Sequence, residues 1–216
     1  MKATNPRGLK DDGGLTTDVR LLRTGLHVEY ASLAWMAVEC VVAIYSGFAA
    51  WSLALLAFGG DSLVELLSSF AVVQDLRGTL TNGRNPTGHV ATKQAEWATA
   101  LLLLSLIPMI GLAAAYSLFT RIGPESSLLG IAVAIAAVVI MPVLWYEKKR
   151  IGKASDCLPL TIDAVESATC FWMSATLLAG LLINYVWKVP WIDYAATFVI
   201  LIFVAREAVE SIREIL

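Results

Sequence analysis

Long apolar segments separated by polar connections repeat along the chain from residue 26 to its end. A helix that spans a lipid bilayer needs roughly 20 mainly apolar residues. Six segments meet this requirement, and they cover residues 26–48, 50–76, 94–120, 127–147, 157–187 and 191–213. The pattern therefore predicts an all-α membrane protein with six transmembrane helices.

The polar segments predict how the chain is divided. Residues 1–24 are polar and lack the apolar core that a signal peptide places behind its basic start. We expect residues 1–24 to form a cytoplasmic N-terminal tail, and residues 25–216 to form the six-helix transmembrane domain. The two longest connections, 77–93 and 147–156, are polar, whereas the others are only a few residues long.

The basic residues predict the orientation of the chain in the membrane. Of the 16 Lys and Arg residues, only Arg121 and Lys188 lie at the end of the predicted helices that is opposite to the N-terminal tail. Because basic connections stay in the cytoplasm, both termini are predicted to be cytoplasmic, which agrees with an even number of spans. We expect a multi-pass integral membrane protein, located in the inner membrane if it is bacterial.

Composition agrees with a membrane location. Hydrophobic residues make up 57% of the chain and charged residues 16%, whereas a soluble domain averages about 45–50% apolar and 25% charged. The formal net charge of -2 says little, because the charges are unevenly placed. The lipid bilayer is an expected partner, and nucleic acid is not. Three cysteines are too few and too scattered to form a disulfide framework.

Acidic residues lie inside the predicted spans, where they are costly. An ionised side chain at the centre of the bilayer costs about 2.5–3.5 kcal/mol, and no Lys or Arg is expected in the middle of a helix to neutralise it. The acids within the spans or at their edges are Glu29, Glu39, Asp61, Glu65, Glu96, Asp163 and Glu166. They must be protonated or bound to a cation, and we expect the two states to alternate.

The segment FGGDSLVELLSS (58–69) carries the first acid pair. Asp61 and Glu65 are four residues apart, so both side chains project from one face of the helix. At a rise of about 1.5 Å per residue, Asp61 lies near the middle of the membrane. We therefore expect this pair to provide two ligands of an intramembrane site.

The segment TIDAVESATC (161–170) carries a second set at a matching depth. Asp163, Glu166 and Cys170 follow an i, i+3, i+7 spacing and share one face of the fifth helix. Two helices with paired ligands at one depth can form a pocket with four ligands. Carboxylate oxygens together with a thiolate suit a divalent first-row metal, and tetrahedral coordination favours Zn²⁺.

Several of these residues have a second interpretation. Cys170 either binds the metal or packs as a small hydrophobic side chain. Asp163 lies nearer the cytoplasmic end, where it acts in the pathway or as a proton relay, is solvated, or braces the helix. Glu39 either lines the pathway as a relay or bonds to a partner helix, and Glu29 is expected to be solvated at the cytoplasmic face.

Two further candidates, His89 and Glu96, lie before the third helix and near its start. Both are close to the predicted cytoplasmic face. They either form ordinary solvated surface or help to recruit cytosolic metal at a cytoplasmic entrance.

This combination resembles the cation diffusion facilitator (cation efflux) family. GGDSLVELLSSFAVV (59–73) is similar to the family's helix 2 motif, D-S-L-x-D/E, and IDAVESATC (162–170) is similar to its helix 5 motif, A-D-x-x-H-x-x-x-D. REAVESI (206–212) is similar to the end of its helix 6. The resemblance implies the family's transmembrane architecture, with metal-ligand positions at Asp61, Glu65, Glu166 and Cys170.

Two positions depart from the family pattern. Glu166 stands where the family usually has His or Asp, and Cys170 stands where it usually has Asp. These departures imply a branch similar to transmembrane protein 163, which lacks the C-terminal cytoplasmic domain of other members. We expect the same of this chain, so that a homodimer would form through transmembrane helices.

The resemblance implies a transporter that exports a divalent metal from the cytoplasm in exchange for protons by alternating access. Zn²⁺ is the first candidate, followed by Fe²⁺, Mn²⁺ and Co²⁺, and neither a prosthetic group nor enzymatic activity is expected. Two alternatives stay open. The chain could be a passive cation channel, or an intramembrane aspartyl protease, whose G-x-G-D motif is similar to GGD (59–61).

Overall fold

The structure is a computed structural model that describes residues 12–82, 89–120, 124–125, 127–189 and 191–215. These residues form six helices: α1 (Asp12–Ala50), α2 (Leu53–Asn82), α3 (His89–Thr120), α4 (Leu128–Ala154), α5 (Leu158–Trp187) and α6 (Trp191–Ile215). Each predicted span corresponds to one of these helices. The predicted six-helix, all-α architecture is therefore confirmed.

The helices have the length and the surface of membrane spans. Among the described residues, four stretches are long and apolar enough to cross a membrane: Arg20–Ala50, Leu53–Thr81, Leu128–Ala154 and Leu158–Trp187. Leu104–Ser117 of α3 adds a shorter apolar stretch. Large apolar side chains such as Phe48, Phe70 and Phe198 are exposed on the outside of the bundle. Such a surface is unfavourable in water and matches the acyl chains of a bilayer.

Two helices extend further into polar sequence than the hydrophobic pattern predicts. α1 begins at Asp12, inside the segment 1–24 predicted as a tail, because residues 15–24 contain no Gly or Pro and can continue a helix that has already formed. Residues 1–11 lie outside the described residues. α4 likewise continues to Ala154, so most of the connection predicted at 147–156 is helical.

α2 lies at the centre of the bundle. It packs against α1, α3, α5 and α6, while α4 packs against α1 and α5, and α3 packs against α6. Gly47 and Gly59 let α1 and α2 approach closely. A Cβ atom on Gly59 would lie 3.0 Å from the backbone nitrogen of Ile44, and one on Gly47 would lie 3.0 Å from that of Leu56. Small residues commonly bring membrane helices together in this way.

The two ends of the bundle are named here from the distribution of basic residues. The end that contains the C-terminus of α2 and the N-terminus of α5 is called the cytoplasmic end, and the opposite one the outer end. At the cytoplasmic end, a group of buried side chains packs separately from the main core. We call this group the cytoplasmic apolar cluster; its members are Leu22, Leu76, Ile151, Cys157 and Leu160.

At the outer end, the first turn of α6 caps α2. Asp193 of α6 accepts hydrogen bonds from the backbone N–H groups of Leu53 at 3.0 Å and Ala54 at 3.4 Å. Its other oxygen accepts a hydrogen bond from the Ser52 hydroxyl at 2.5 Å. The carboxylate thus satisfies free N–H groups at the start of α2 and is favoured there by the helix dipole. This contact joins α2 to α6.

Candidate metal-binding site

Carboxyl groups from four helices meet near the middle of the bundle. On α2, Asp61 and Glu65 are only 3% and 5% exposed. The acidic side chains that act on Glu65 electrostatically are Asp61, Glu39 of α1 and Glu166 of α5. The structure therefore brings the acid pair of α2 close to the acid of α5.

Glu65 and Glu166 have buried oxygens without a hydrogen-bond partner among the described residues. Both carboxylate oxygens of Glu65 and Oε2 of Glu166 are in this state. Oε1 of Glu166 accepts a hydrogen bond from the Ser68 hydroxyl at 3.2 Å. A buried, ionised carboxylate without a partner is costly. These three oxygens therefore require either a proton or a cation.

Glu39 and Cys170 also lie in this region. The carboxylate of Glu39 accepts hydrogen bonds from the indole N–H of Trp35 at 2.7 Å and from the hydroxyl of Ser62 at 2.7 Å. The Cys170 thiol donates to Glu39 Oε1, with an Sγ–O distance of 3.6 Å, and it also lies beside Glu65. Glu39 therefore bonds to two partner helices, while its role as a relay stays a prediction.

α6 contributes an acid that was not among the candidate site residues. The carboxyl group of Glu207 is close enough to those of Asp61, Glu166 and Glu65 to interact with them electrostatically. The sequence contains a signal for this position. Ile200, Val204 and Ala208 are buried at a spacing of four residues, and Glu207 lies on the same face of the helix.

A buried lysine lies on the cytoplasmic side of these acids. Lys148 of α4 is fully buried and forms ion pairs with Asp163 of α5 and with Glu29 of α1. The Ser69 hydroxyl of α2 donates a hydrogen bond to Asp163 at 2.8 Å. We call Lys148, Asp163, Glu29 and Ser69 the Lys148 network. It connects α1, α2, α4 and α5.

The expectation that no cation faces the intramembrane acids is wrong because of Lys148. The sequence pattern places this residue in a polar connection, but α4 continues through it. Met141, Leu144 and Lys148 follow an i, i+3, i+7 spacing, and all three are buried. The inward face of the helix therefore carries the lysine into the bundle.

The same network corrects the expected surroundings of two acids. Glu29 is fully buried, so the expectation that it is solvated is wrong. Asp163 is also buried, and its contacts with Lys148 and Ser69 fit the interpretation in which it braces α5. A role of Asp163 in the pathway or as a proton relay stays a prediction.

The remaining candidates and the metal geometry complete the description of the site. The side chains of His89 and Glu96 lie outside the described residues. Within the described part of the chain, no three His, Cys, Asp or Glu side chains are arranged to hold a metal ion together. Cys170 instead donates to Glu39 and Asp61 lies beside Glu207, whereas Glu65 has no hydrogen-bond partner among the described residues. Side chains or helices must therefore move before these groups can surround a metal.

Comparison with known proteins bears on the identity of the chain. Residues 30–216 match the cation efflux transmembrane domain, which covers most of the chain and all six helices in part or in full. A search of curated proteins found no match. The family match, the six helices and the buried acids agree with one another. The chain therefore belongs to the cation efflux family and is a metal cation transporter of the membrane.

Proposed function

We propose that this transporter exports a divalent metal from the cytoplasm in exchange for protons, with Zn²⁺ as the first candidate. The observation that carries the proposal is the set of buried oxygens of Glu65 and Glu166 that have no partner among the described residues. They lie in a bundle interior where bare carboxylates are costly. A dehydrated divalent cation is a suitable partner for such oxygens.

The ligand types support Zn²⁺ over harder cations. Asp61, Glu65 and Glu166 provide oxygen donors, and Cys170 provides sulfur. Soft thiolate ligands favour Zn²⁺, whereas all-oxygen sites suit Mg²⁺, Ca²⁺ and Mn²⁺. Glu166 and Cys170 are one turn apart on α5, so a small movement of this helix toward α2 brings both ligands to the acid pair.

The contact between Asp61 and Glu207 supports exchange with protons. An ionised carboxylate is only an acceptor, so a hydrogen bond between two carboxyl groups requires a proton on one of them. Asp61 and Glu207 are close enough to interact in the bundle interior, and a proton shared between them would remove their mutual repulsion. Binding of a metal to Asp61 would release this proton, and the return of a proton would favour release of the metal. Net transport follows if the affinity of the site for the metal differs between the arrangement open to the cytoplasm and the one open to the outer side.

Metal uptake into proteoliposomes that contain a metal-sensitive dye tests this function. We expect Zn²⁺ flux to rise when the pH gradient drives protons across the membrane in the direction opposite to the metal. The lumenal pH should change as the metal moves. Fe²⁺, Mn²⁺ and Co²⁺ are compared in the same assay. Flux that does not respond to the pH step would contradict exchange and favour the alternative of a passive channel.

Replacement of Cys170 by serine tests the role of the thiol in selectivity. We expect Cys170→Ser to lower Zn²⁺ flux by roughly tenfold and to change Mn²⁺ flux much less, because oxygen replaces the soft ligand. The ratio of the two fluxes is the measurement, so differences in protein amount cancel. An equal loss for both metals would indicate that Cys170 acts only in packing.

A homodimer through transmembrane helices and a place in the branch similar to transmembrane protein 163 stay predictions. The replacement of the usual helix 5 ligands by Glu166 and Cys170 supports the branch. Cross-linking in the membrane tests the dimer directly.

A further inference from the structure

We propose that the Lys148 network is the cytoplasmic gate of the transporter, and that it must open before metal can reach the acids of α2 and α5. This inference rests on the proposed function, because a gate has a purpose only if the site is reached from the cytoplasm. In this gate the ammonium group of Lys148 is paired with Glu29 and Asp163, and it holds the place that a metal ion entering from the cytoplasm would take.

The contacts of the network close the space between four helices. Lys148 Nζ is paired with Asp163 Oδ2 and lies 3.5 Å from Glu29 Oε2. Ser69 Oγ lies 2.8 Å from the other oxygen of Asp163 and 3.7 Å from the sulfur of Met36. Lys148 and Glu29 are 0% exposed. Side chains that are buried to this degree are shielded from solvent in this arrangement of the described helices.

The network lies between the cytoplasm and the candidate ligands. Asp163 is five residues from the start of α5, whereas Glu166 and Cys170 are eight and twelve residues from it. At about 1.5 Å per residue, the network is roughly 4 Å closer to the cytoplasmic end than Glu166 and 10 Å closer than Cys170. The cytoplasmic apolar cluster packs still nearer this end, around Leu160 and Ile151. The two layers together form the closed side of the bundle.

The energetics of the network fit a contact that opens and closes. Buried ion pairs contribute little net stability, because desolvation offsets much of the attraction. This network is also incomplete, since Glu29 Oε1 has no hydrogen-bond partner among the described side chains. A partly satisfied polar network is a weak point of a core. The network is therefore better suited to a switch between two arrangements than to permanent support.

The charges of the network act differently on a metal ion in the closed and in the open arrangement. While Lys148 is held between Glu29 and Asp163, its ammonium group repels an approaching metal ion and acts on Glu65 as well. When the helices separate at this end, the two acids lose the ammonium group and attract a divalent cation. The same residues thus exclude metal in the closed arrangement and favour its entry in the open one.

Thiol labelling tests the gate without measuring transport. In a full-length Cys40→Ser, Cys157→Ser background, Cys170 is the single thiol and lies beyond the network as seen from the cytoplasm. Its reaction with a membrane-impermeant maleimide is followed in metal-free buffer, in vesicles of each orientation. Glu29→Gln removes one charged contact of Lys148 and leaves the pair with Asp163.

We expect Glu29→Gln to raise the labelling rate from the cytoplasmic side by about tenfold, the effect of losing one charged contact of Lys148, and to leave the rate from the outer side unchanged. The matched control is Glu147→Gln. It breaks a more exposed ion pair with Arg150 within α4, the helix that carries Lys148, and it should change neither rate. An unchanged cytoplasmic rate, or an equal rise from both sides, would overturn the proposal.

A second variant keeps the test valid if Glu29→Gln does not fold. Ser69→Ala removes the hydrogen bond from α2 to Asp163 and leaves all charges in place. It should raise the cytoplasmic labelling rate in the same direction by a smaller factor. Because labelling is independent of metal flux, failure of the gate would leave proton-coupled flux intact, whereas failure of the proposed function would appear only in the flux assay.

Discussion

Replacement of Glu65 by glutamine is expected to abolish metal transport while leaving the protein folded. Removing one partner of a buried charge interaction costs about 3–5 kcal/mol, which corresponds to a loss of more than 100-fold in affinity. Stability should not fall, because the neutral amide ends the repulsion of Glu65 by Asp61, Glu39 and Glu166. Zn²⁺ flux in proteoliposomes and the melting temperature in detergent are measured on the same preparations.

Asp193→Asn is the matched control for this variant. Asp193 is also a buried acid of the bundle, but it caps α2 at the outer end. Asparagine is as good a capping residue as aspartate, so both flux and melting temperature should remain close to those of the original protein. If Glu65→Gln retained full Zn²⁺ flux, the assignment of the site to the acids of α2 and α5 would be wrong.

Replacement of Lys148 by methionine is expected to be the most destabilising single change in the bundle. Methionine fills a similar volume but leaves Glu29 and Asp163 buried without their cation. Loss of one partner of a buried ion pair costs about 3–5 kcal/mol. For a domain of this size, the melting temperature should fall by roughly 6–20 °C, as measured by thermal unfolding in detergent.

Two further variants separate this effect from a general effect of removing lysine. Lys149→Met changes the neighbouring, exposed lysine, whose contact with the Trp145 ring at 4.9 Å is worth at most about 1 kcal/mol. The triple variant Lys148→Met, Glu29→Gln, Asp163→Asn removes the charges together and should recover most of the stability. A melting temperature as low as that of Lys148→Met alone would show that packing, and not charge, explains the loss.

The intramembrane protease finds no support in the arrangement of the acids. An aspartyl protease needs two aspartates that face each other at one site. Here Asp61 lies beside Glu207, and Asp163 is paired with Lys148. The two aspartates therefore belong to different contacts at different depths of the bundle.

Hydrophobic length and helical spacing were sufficient to predict the helices and to place the acids of α2 and α5 inside the spans. Each span is an apolar run of membrane length, and Asp61, Glu65 and Glu166 interrupt such runs. Charge in an apolar segment is rare enough that its position is informative without tertiary contacts. For this reason the central acids were predictable one helix at a time.

The contacts of Lys148, Glu29 and Glu207 were not predictable in that way. All three lie near or just beyond the ends of the predicted spans, where a charged residue in the sequence looks the same whether it faces water or a partner helix. Burial of Lys148 depends on the direction in which the last turns of α4 face, and this is set by packing against α1 and α5. The interaction between Glu207 and Asp61 depends on how α6 crosses α2, which sequence spacing within one helix does not specify.

The cap that Asp193 forms on α2 has a mechanical consequence. Because the Asp193 side chain of α6 holds the first N–H groups of α2 at the outer end, those two helix ends are tied together. A tilt of α2 relative to α6 would then pivot about this joint, and displacement would grow with distance from it. Asp61 of α2 and Glu207 of α6 lie further along these two helices, so such a tilt would change the separation of their carboxyl groups.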